Sequence, residues 1–122
     1  MGASDHLERY AEGWTKGDAA TILAAAAGDF VFDDPNAGRI AKADFAAYLE
    51  GLKAAVEGAQ GGARFENFMD LSEVVASADG DTMTAWCWWA IPGTGIAGSG
   101  LIKVDDTGVR SERITYYAKP AG

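Results

Sequence analysis

Few side chains in this sequence can carry chemistry, and their types and spacing sort them. The one cysteine, Cys87, lies in the apolar run Ala85-Trp86-Cys87-Trp88-Trp89. It reads as a buried strand residue, because a nucleophilic cysteine wants a histidine and the only one, His6, stands close to the start. A serine triad lacks a placed histidine for the same reason. The acidic pairs Asp33-Asp34 and Asp105-Asp106 have no calcium-loop spacing, so no metal site is expected. The segment Gly93-Thr94-Gly95-Ile96-Ala97-Gly98 has the glycine spacing of a dinucleotide loop. That loop needs a helix behind it, whose N-terminus holds the pyrophosphate, and the segment that follows here reads as a strand. A flexible hairpin is the better reading, and no cofactor is expected.

Two residues survive this sorting. Tyr10 lies on an apolar helix stripe, with Trp14 one turn on. A phenol on a buried face needs a polar partner. Asp34 closes an apolar strand just before Pro35. Taken alone, Tyr10 is equally a core tyrosine bonded to backbone, and Asp34 equally a turn aspartate in water.

The elements that position these residues follow from hydrophobic period and turn chemistry. A first helix over Ser4–Lys16 places Leu7, Tyr10, Ala11 and Trp14 on one face. Gly17-Asp18 ends it and caps a second helix over Ala19–Ala27. Residues Asp29 to Pro35 read as a short strand that stops at the proline, which cannot donate to a ladder. Asn36-Ala37-Gly38 is a turn, and Lys42–Glu57 is an amphipathic helix with Phe45, Leu49, Leu52 and Val56. Arg64–Ser77, Thr82–Ile91, Ile96–Val104 and Val109–Ala118 read as four strands of a meander, separated by Asp/Gly/Pro turns. Helices first and a meander after give an α+β fold, with the helices on one face of the sheet. The segment 83–91 is apolar on both faces, so it needs two covers. Helices supply one. A second copy of the chain is expected as the other, which predicts a homodimer.

Composition bounds the partners. With 122 residues and 48% apolar content, one domain spanning 1–122 with one core is expected. A net charge of −8 with scattered lysines and arginines argues against nucleic acid and against acidic membranes. No stretch approaches the ~20 apolar residues of a membrane span. The start has no signal-peptide pattern, so a cytoplasmic location is expected.

The run Arg9-Tyr10, then Gly17-Asp18, then Phe32-Asp33-Asp34-Pro35 resembles the opening of the SnoaL-like and ketosteroid-isomerase-like superfamily. The resemblance implies the cone-shaped fold of nuclear transport factor two: three N-terminal helices on a strongly curved, mainly antiparallel sheet of cystatin-like type. In ketosteroid isomerases an acid-proline motif carries the general base and a tyrosine of the first helix binds the oxyanion. By motif, Asp34 matches the base and Tyr10 the tyrosine. A carboxylate takes a proton next to a carbonyl, and a buried donor stabilises the oxygen charge that results. The isomerases' second donor, a protonated aspartic acid, falls at Gly100 when the final hairpin is aligned on Gly108. A supporting tyrosine of some isomerases falls near Leu49, with Tyr48 next to it. Asp70 is a candidate substitute acid, sharing a strand face with Phe68.

The same alignment turns Thr84, Trp86 and Trp88 inward, with Thr115 and Tyr117 from the last strand. Arg113 shares that face, as an anion-binding residue or as a rim residue paired with Glu112 or Asp70. Together with Trp14, these residues imply a pocket for a small apolar or aromatic ligand. The implied function is a cofactor-free isomerase, cyclase or dehydratase acting on an apolar carbonyl compound. The alternative is a non-catalytic ligand-binding or dimeric interaction domain of the same fold.

Overall fold

In the computed structural model, which describes residues 2–118, the expected α+β architecture is present. Helices α1 (Ala3–Lys16) and α2 (Ala19–Ala25) lead into strand β1 (Ala26–Asp34) and a short β2 (Gly38–Ala41). Helix α3 (Phe45–Gln60) follows, then β3 (Asp70–Asp79), β4 (Thr82–Ala90), β5 (Ile96–Asp105) and β6 (Gly108–Ala118). The strands form one six-stranded sheet in the order β2-β1-β6-β5-β4-β3. Only the β1–β6 pair is parallel. Among the described residues no helix is long and apolar enough to cross a membrane.

Local chemistry explains the junctions. Gly17 ends α1 in the left-handed conformation (φ 67°), which costs a glycine nothing. Asp18 then caps α2, its carboxylate accepting from the Ala20 amide and the Thr21 hydroxyl. Gly13 lets the two helices close up, since a Cβ there would stand 2.6 Å from Ile22. The second helix is shorter than its sequence suggests. Ala26 and Ala27 are buried in β1, where pairing with β6 outweighs alanine's helix preference. Beyond the turn at Pro35, the chain doubles back as β2.

Residues 64–69, expected as strand, are not. The Phe68 amide instead donates to the Thr15 carbonyl at the end of α1, and the Phe68 ring lies against Gly17. Phe68 and Asp70 therefore do not alternate along one strand. Asp70 is exposed, and its carboxylate accepts from the Asn67 amide.

One aromatic cluster fills the angle between helices and sheet. Phe45 meets Trp14, Phe30 and Phe32 edge-on at 5.7 Å, and Tyr10 meets Phe30 at 6.0 Å. Edge-to-face rings gain about 0.5–1.5 kcal/mol beyond the area they bury. This cluster fixes α1 and α3 over the sheet and sets where Tyr10 and Tyr48 point.

Candidate functional site

An apolar cavity of about 50 Å³ lies between α1, α3 and the concave face of the sheet. Tyr10 and Trp14 reach it from α1, Tyr48 from α3, Cys87 and Trp89 from β4, and Glu112 and Tyr116 from β6. Val74 lines it and is also half exposed, so the cavity reaches the surface beside β3.

The structure corrects the phase of two strands. In β4, Ala85, Cys87 and Trp89 are buried inward, and Thr84, Trp86 and Trp88 lie on the outer face. Both faces of β4 are apolar, so hydrophobic pattern alone could not choose between them, and a slip of one residue turns every side chain over. In β6 the cause is a bulge. Lys103 pairs with Ser111 but Val104 pairs with Val109, which leaves Arg110 as an extra residue. Counting outward from Gly108 across that bulge exchanges the faces. Glu112, Ile114 and Tyr116 therefore line the cavity, while Arg113, Thr115 and Tyr117 are exposed.

The bulge brings in Glu112, expected from the sequence only as a rim partner of Arg113. Glu112 is 5% exposed, and the Tyr10 hydroxyl donates to its Oε1 at 2.6 Å. Burial pushes the Glu112 carboxyl up to about 7, with the Tyr10 bond pulling the other way. Burial and the neighbouring Glu112 push the Tyr10 phenol well above its ordinary value. Gly100 makes room for this pair. A Cβ at Gly100 would lie 2.2 Å from Glu112 Oε2. The strand position that lacks a side chain of its own is thus covered by a carboxyl from its neighbour. Gly98 does the same for Trp89, whose ring lies across it at 2.6 Å from a Cβ position.

Asp34 stands elsewhere. It is 4% exposed but lies in a separate, open hollow with Asn36, Arg39 and Arg113. Its Oδ2 accepts from the Tyr48 hydroxyl at 2.6 Å and the Tyr116 hydroxyl at 2.8 Å. Its Oδ1 accepts from the Asn36 amide at 2.8 Å. Burial alone would raise this carboxyl, but the bonds from Tyr48, Asn36 and Tyr116 outweigh it and hold it below the usual aspartate value. Burial and the bond to Asp34 raise Tyr48, and push Tyr116 up to about 12. Tyr10 and Asp34, expected as one pair, thus form two: Tyr10 with Glu112, and Asp34 with Tyr48 and Tyr116. Tyr48 and Tyr116 line the cavity, as Tyr10 and Glu112 do.

Burial pushes the Cys87 thiol up to about 12, so it is a packed thiol and not a nucleophile. Trp14 lines the cavity as expected. The indole N–H groups of Trp14 and Trp89 are buried without a partner among the described residues. An unpaired buried donor costs about 1–3 kcal/mol.

No family model matches the chain, and no curated protein matches it closely enough to align. Solved structures do match its fold. A protein of unknown function described as NTF2-like, from Cytophaga hutchinsonii, is 13% identical, covers 96% of this chain and 91% of its own, and superposes with a TM-score of 0.65. A proposed polyketide cyclase from Xanthomonas campestris is 20% identical, with coverage of 96% and 90% and a TM-score of 0.61. A proposed ketosteroid isomerase from Kribbella flavida is 15% identical, with coverage of 97% and 82% and a TM-score of 0.58. A protein from Burkholderia xenovorans described as having a cystatin-like fold superposes at 0.65.

Proposed function

From the NTF2-like, cystatin-like fold of this chain and the cavity inside it, we propose a proton-transfer enzyme that needs no cofactor. It acts on a small apolar carbonyl compound, in an isomerase, cyclase or dehydratase reaction, with Glu112 as the group that takes and returns the proton. The observation that carries this reading is the Tyr10–Glu112 pair at 2.6 Å inside an apolar cavity. A carboxyl pushed up to about 7 is half ionised near neutral pH, where an acid–base catalyst is most effective.

In the ionised state Glu112 removes a proton from the carbon beside the carbonyl. The C–H electron pair enters the enolate, and the negative charge settles on oxygen. Protonation of Glu112 releases the Tyr10 hydroxyl from a charged acceptor, so its hydrogen can turn toward that oxygen. Glu112 then returns the proton to another carbon of the substrate, and the electrons never leave it. Asp34, ionised throughout, holds Tyr48 and Tyr116 in the cavity wall.

A second reading keeps Asp34 as the base and uses protonated Glu112 as the second oxyanion donor. The placement of the Glu112 carboxyl over Gly100 favours it, because that carboxyl fills the space a strand acid would occupy. Raised and lowered carboxyls in one site are a recurrent acid–base arrangement. The test is α-proton exchange of cyclohexanone in deuterated buffer. On the first reading the rate rises with pH through about 7, and Glu112→Gln abolishes it while Asp34→Asn leaves most of it. On the second, the rate falls above about 7 and Asp34→Asn abolishes it. No exchange above buffer by the native chain would leave a ligand-binding domain.

The outer face adds an assembly to the proposal. Trp88 meets Trp86 at 4.7 Å and Tyr117 at 5.5 Å, and Val75, Leu101 and Tyr117 are exposed around them. An apolar sheet face of this kind supports a homodimer, with a second copy covering the side of β4 that the helices do not.

A further inference from the structure

We infer that the cavity's ligand carries two acceptor oxygens, of ketone or ester type, one received by the Trp14 indole N–H and the other by the Trp89 indole N–H. This deepens the proposed function and rests on its assignment of the cavity as the substrate site. The two rings are each 5% exposed and both line the cavity. Among the described residues neither Nε1 atom has a hydrogen-bond partner. Indole is a donor only, so each can be satisfied by an acceptor and by nothing else.

No surrounding side chain among the described residues completes such a bond, although a phenol oxygen can accept. Tyr10 gives its hydrogen to Glu112, and Tyr48 and Tyr116 give theirs to Asp34. The Trp14 indole lies close enough to the Tyr10 oxygen to lower that phenol's pKa, without completing a hydrogen bond. An oxygen at Trp14 is therefore beside the Tyr10–Glu112 pair, where proton transfer would act on its α-carbon. Trp89 lies farther round the concave face, stacked edge-on against Tyr116 at 5.5 Å and seated over Gly98. An oxygen there is positioned by its donor, over Gly98 where the Glu112 carboxyl lies over Gly100. The remaining wall is hydrocarbon, from residues such as Leu7, Leu52 and Ile114. The ligand class that matches these donors is an apolar dicarbonyl compound, with one oxygen activated and one anchored; the cavity, at about 50 Å³, encloses part of it, and the rest extends past Val74 to the surface.

The experiment follows the indole N–H signals of the native chain, labelled with ¹⁵N-tryptophan, as cyclohexane-1,4-dione is added. The four tryptophans give four signals, assigned with Trp14→Phe and Trp89→Phe. The expected result is that the Trp14 and Trp89 signals move downfield with the dione, while cyclohexane moves neither downfield. Each oxygen should contribute about tenfold in affinity, so that cyclohexanone binds more weakly than the dione. Signals that stay in place, a shift confined to one indole, or an equal shift with cyclohexane would overturn the assignment. Exchange of the dione's α-protons is read in a deuterated duplicate. Indole shifts without exchange would leave the two-oxygen site standing and remove the proton-transfer reading, whereas exchange without indole shifts would do the reverse.

Discussion

Glu112 and Asp34 expose equally little surface, but Glu112 is enclosed in the cavity wall whereas Asp34 borders an open hollow, and their surroundings drive them apart. Glu112 meets one phenol in a hydrocarbon wall, and burial pushes it up to about 7. Asp34 receives two phenols and a backbone amide, and it is held below the usual aspartate value. Exposure alone would have ranked them as equals. How deeply each carboxyl is enclosed and how many donors reach it together make the difference. One is left free to exchange a proton near neutral pH, and the other becomes a fixed negative anchor for the cavity wall.

The largest effect is expected in catalysis. Glu112→Gln keeps the shape and removes the proton carrier, so α-proton exchange should fall by about 100-fold or more. Asp34→Asn should cost less than about twofold in the same assay. The reverse ranking would move the chemistry to Asp34. Gly100→Ala sharpens the contrast, because its Cβ would collide with Glu112 Oε2 and leave the Asp34 cluster untouched.

Stability should follow the same division. Between the ordinary glutamate value of 4.5 and about 7, folded Glu112 keeps a proton that the unfolded chain has released. Its contribution is therefore complete below 4.5 and is lost as pH rises through 7, by on the order of 3 kcal/mol. Asp34 acts with the opposite sign, stabilising above its ordinary 3.8 and losing that contribution as pH falls. Urea unfolding of Glu112→Gln across this range should show a flatter dependence on pH than the native chain. Equal slopes would mean that Glu112 titrates normally.

Much of the fold was legible because its signals are local. The apolar stripe of α1, the Gly17-Asp18 junction and the Asp/Gly turns between strands each depend on a few adjacent residues. The site was harder to read because it depends on phase. The outward set Thr84, Trp86 and Trp88 and the inward set Ala85, Cys87 and Trp89 are both apolar enough for a core. The bulge at Arg110 is set by strand pairing and leaves no mark in the residue pattern. Gly98 and Gly100 were the usable signal. Two glycines two apart on an interior strand mark a floor onto which neighbouring side chains lie, here Trp89 and Glu112.

Smaller effects test the anchor and the outer face. Tyr48→Phe removes one donor to an ionised carboxylate and should cost about 1.5–3 kcal/mol in thermal or urea unfolding. A loss below that range would mean the Asp34 cluster is held by packing alone. Trp88→Lys places a charge on the outer face and should dissociate the proposed homodimer in sedimentation. Its α-proton exchange should stay within about twofold, since Trp88 does not line the cavity. An unchanged oligomeric state would remove that face from the assembly.

The two carboxyls can be watched directly. A carbon-detected NMR titration of the native chain follows the side-chain carboxyl signals of Glu112 and Asp34 as pH is varied. The expected result is a Glu112 midpoint near 7 and an Asp34 signal that remains ionised until pH falls below 3.8. A Glu112 midpoint at the ordinary 4.5, or an Asp34 midpoint above that of Glu112, would contradict the separation on which the proposed chemistry depends.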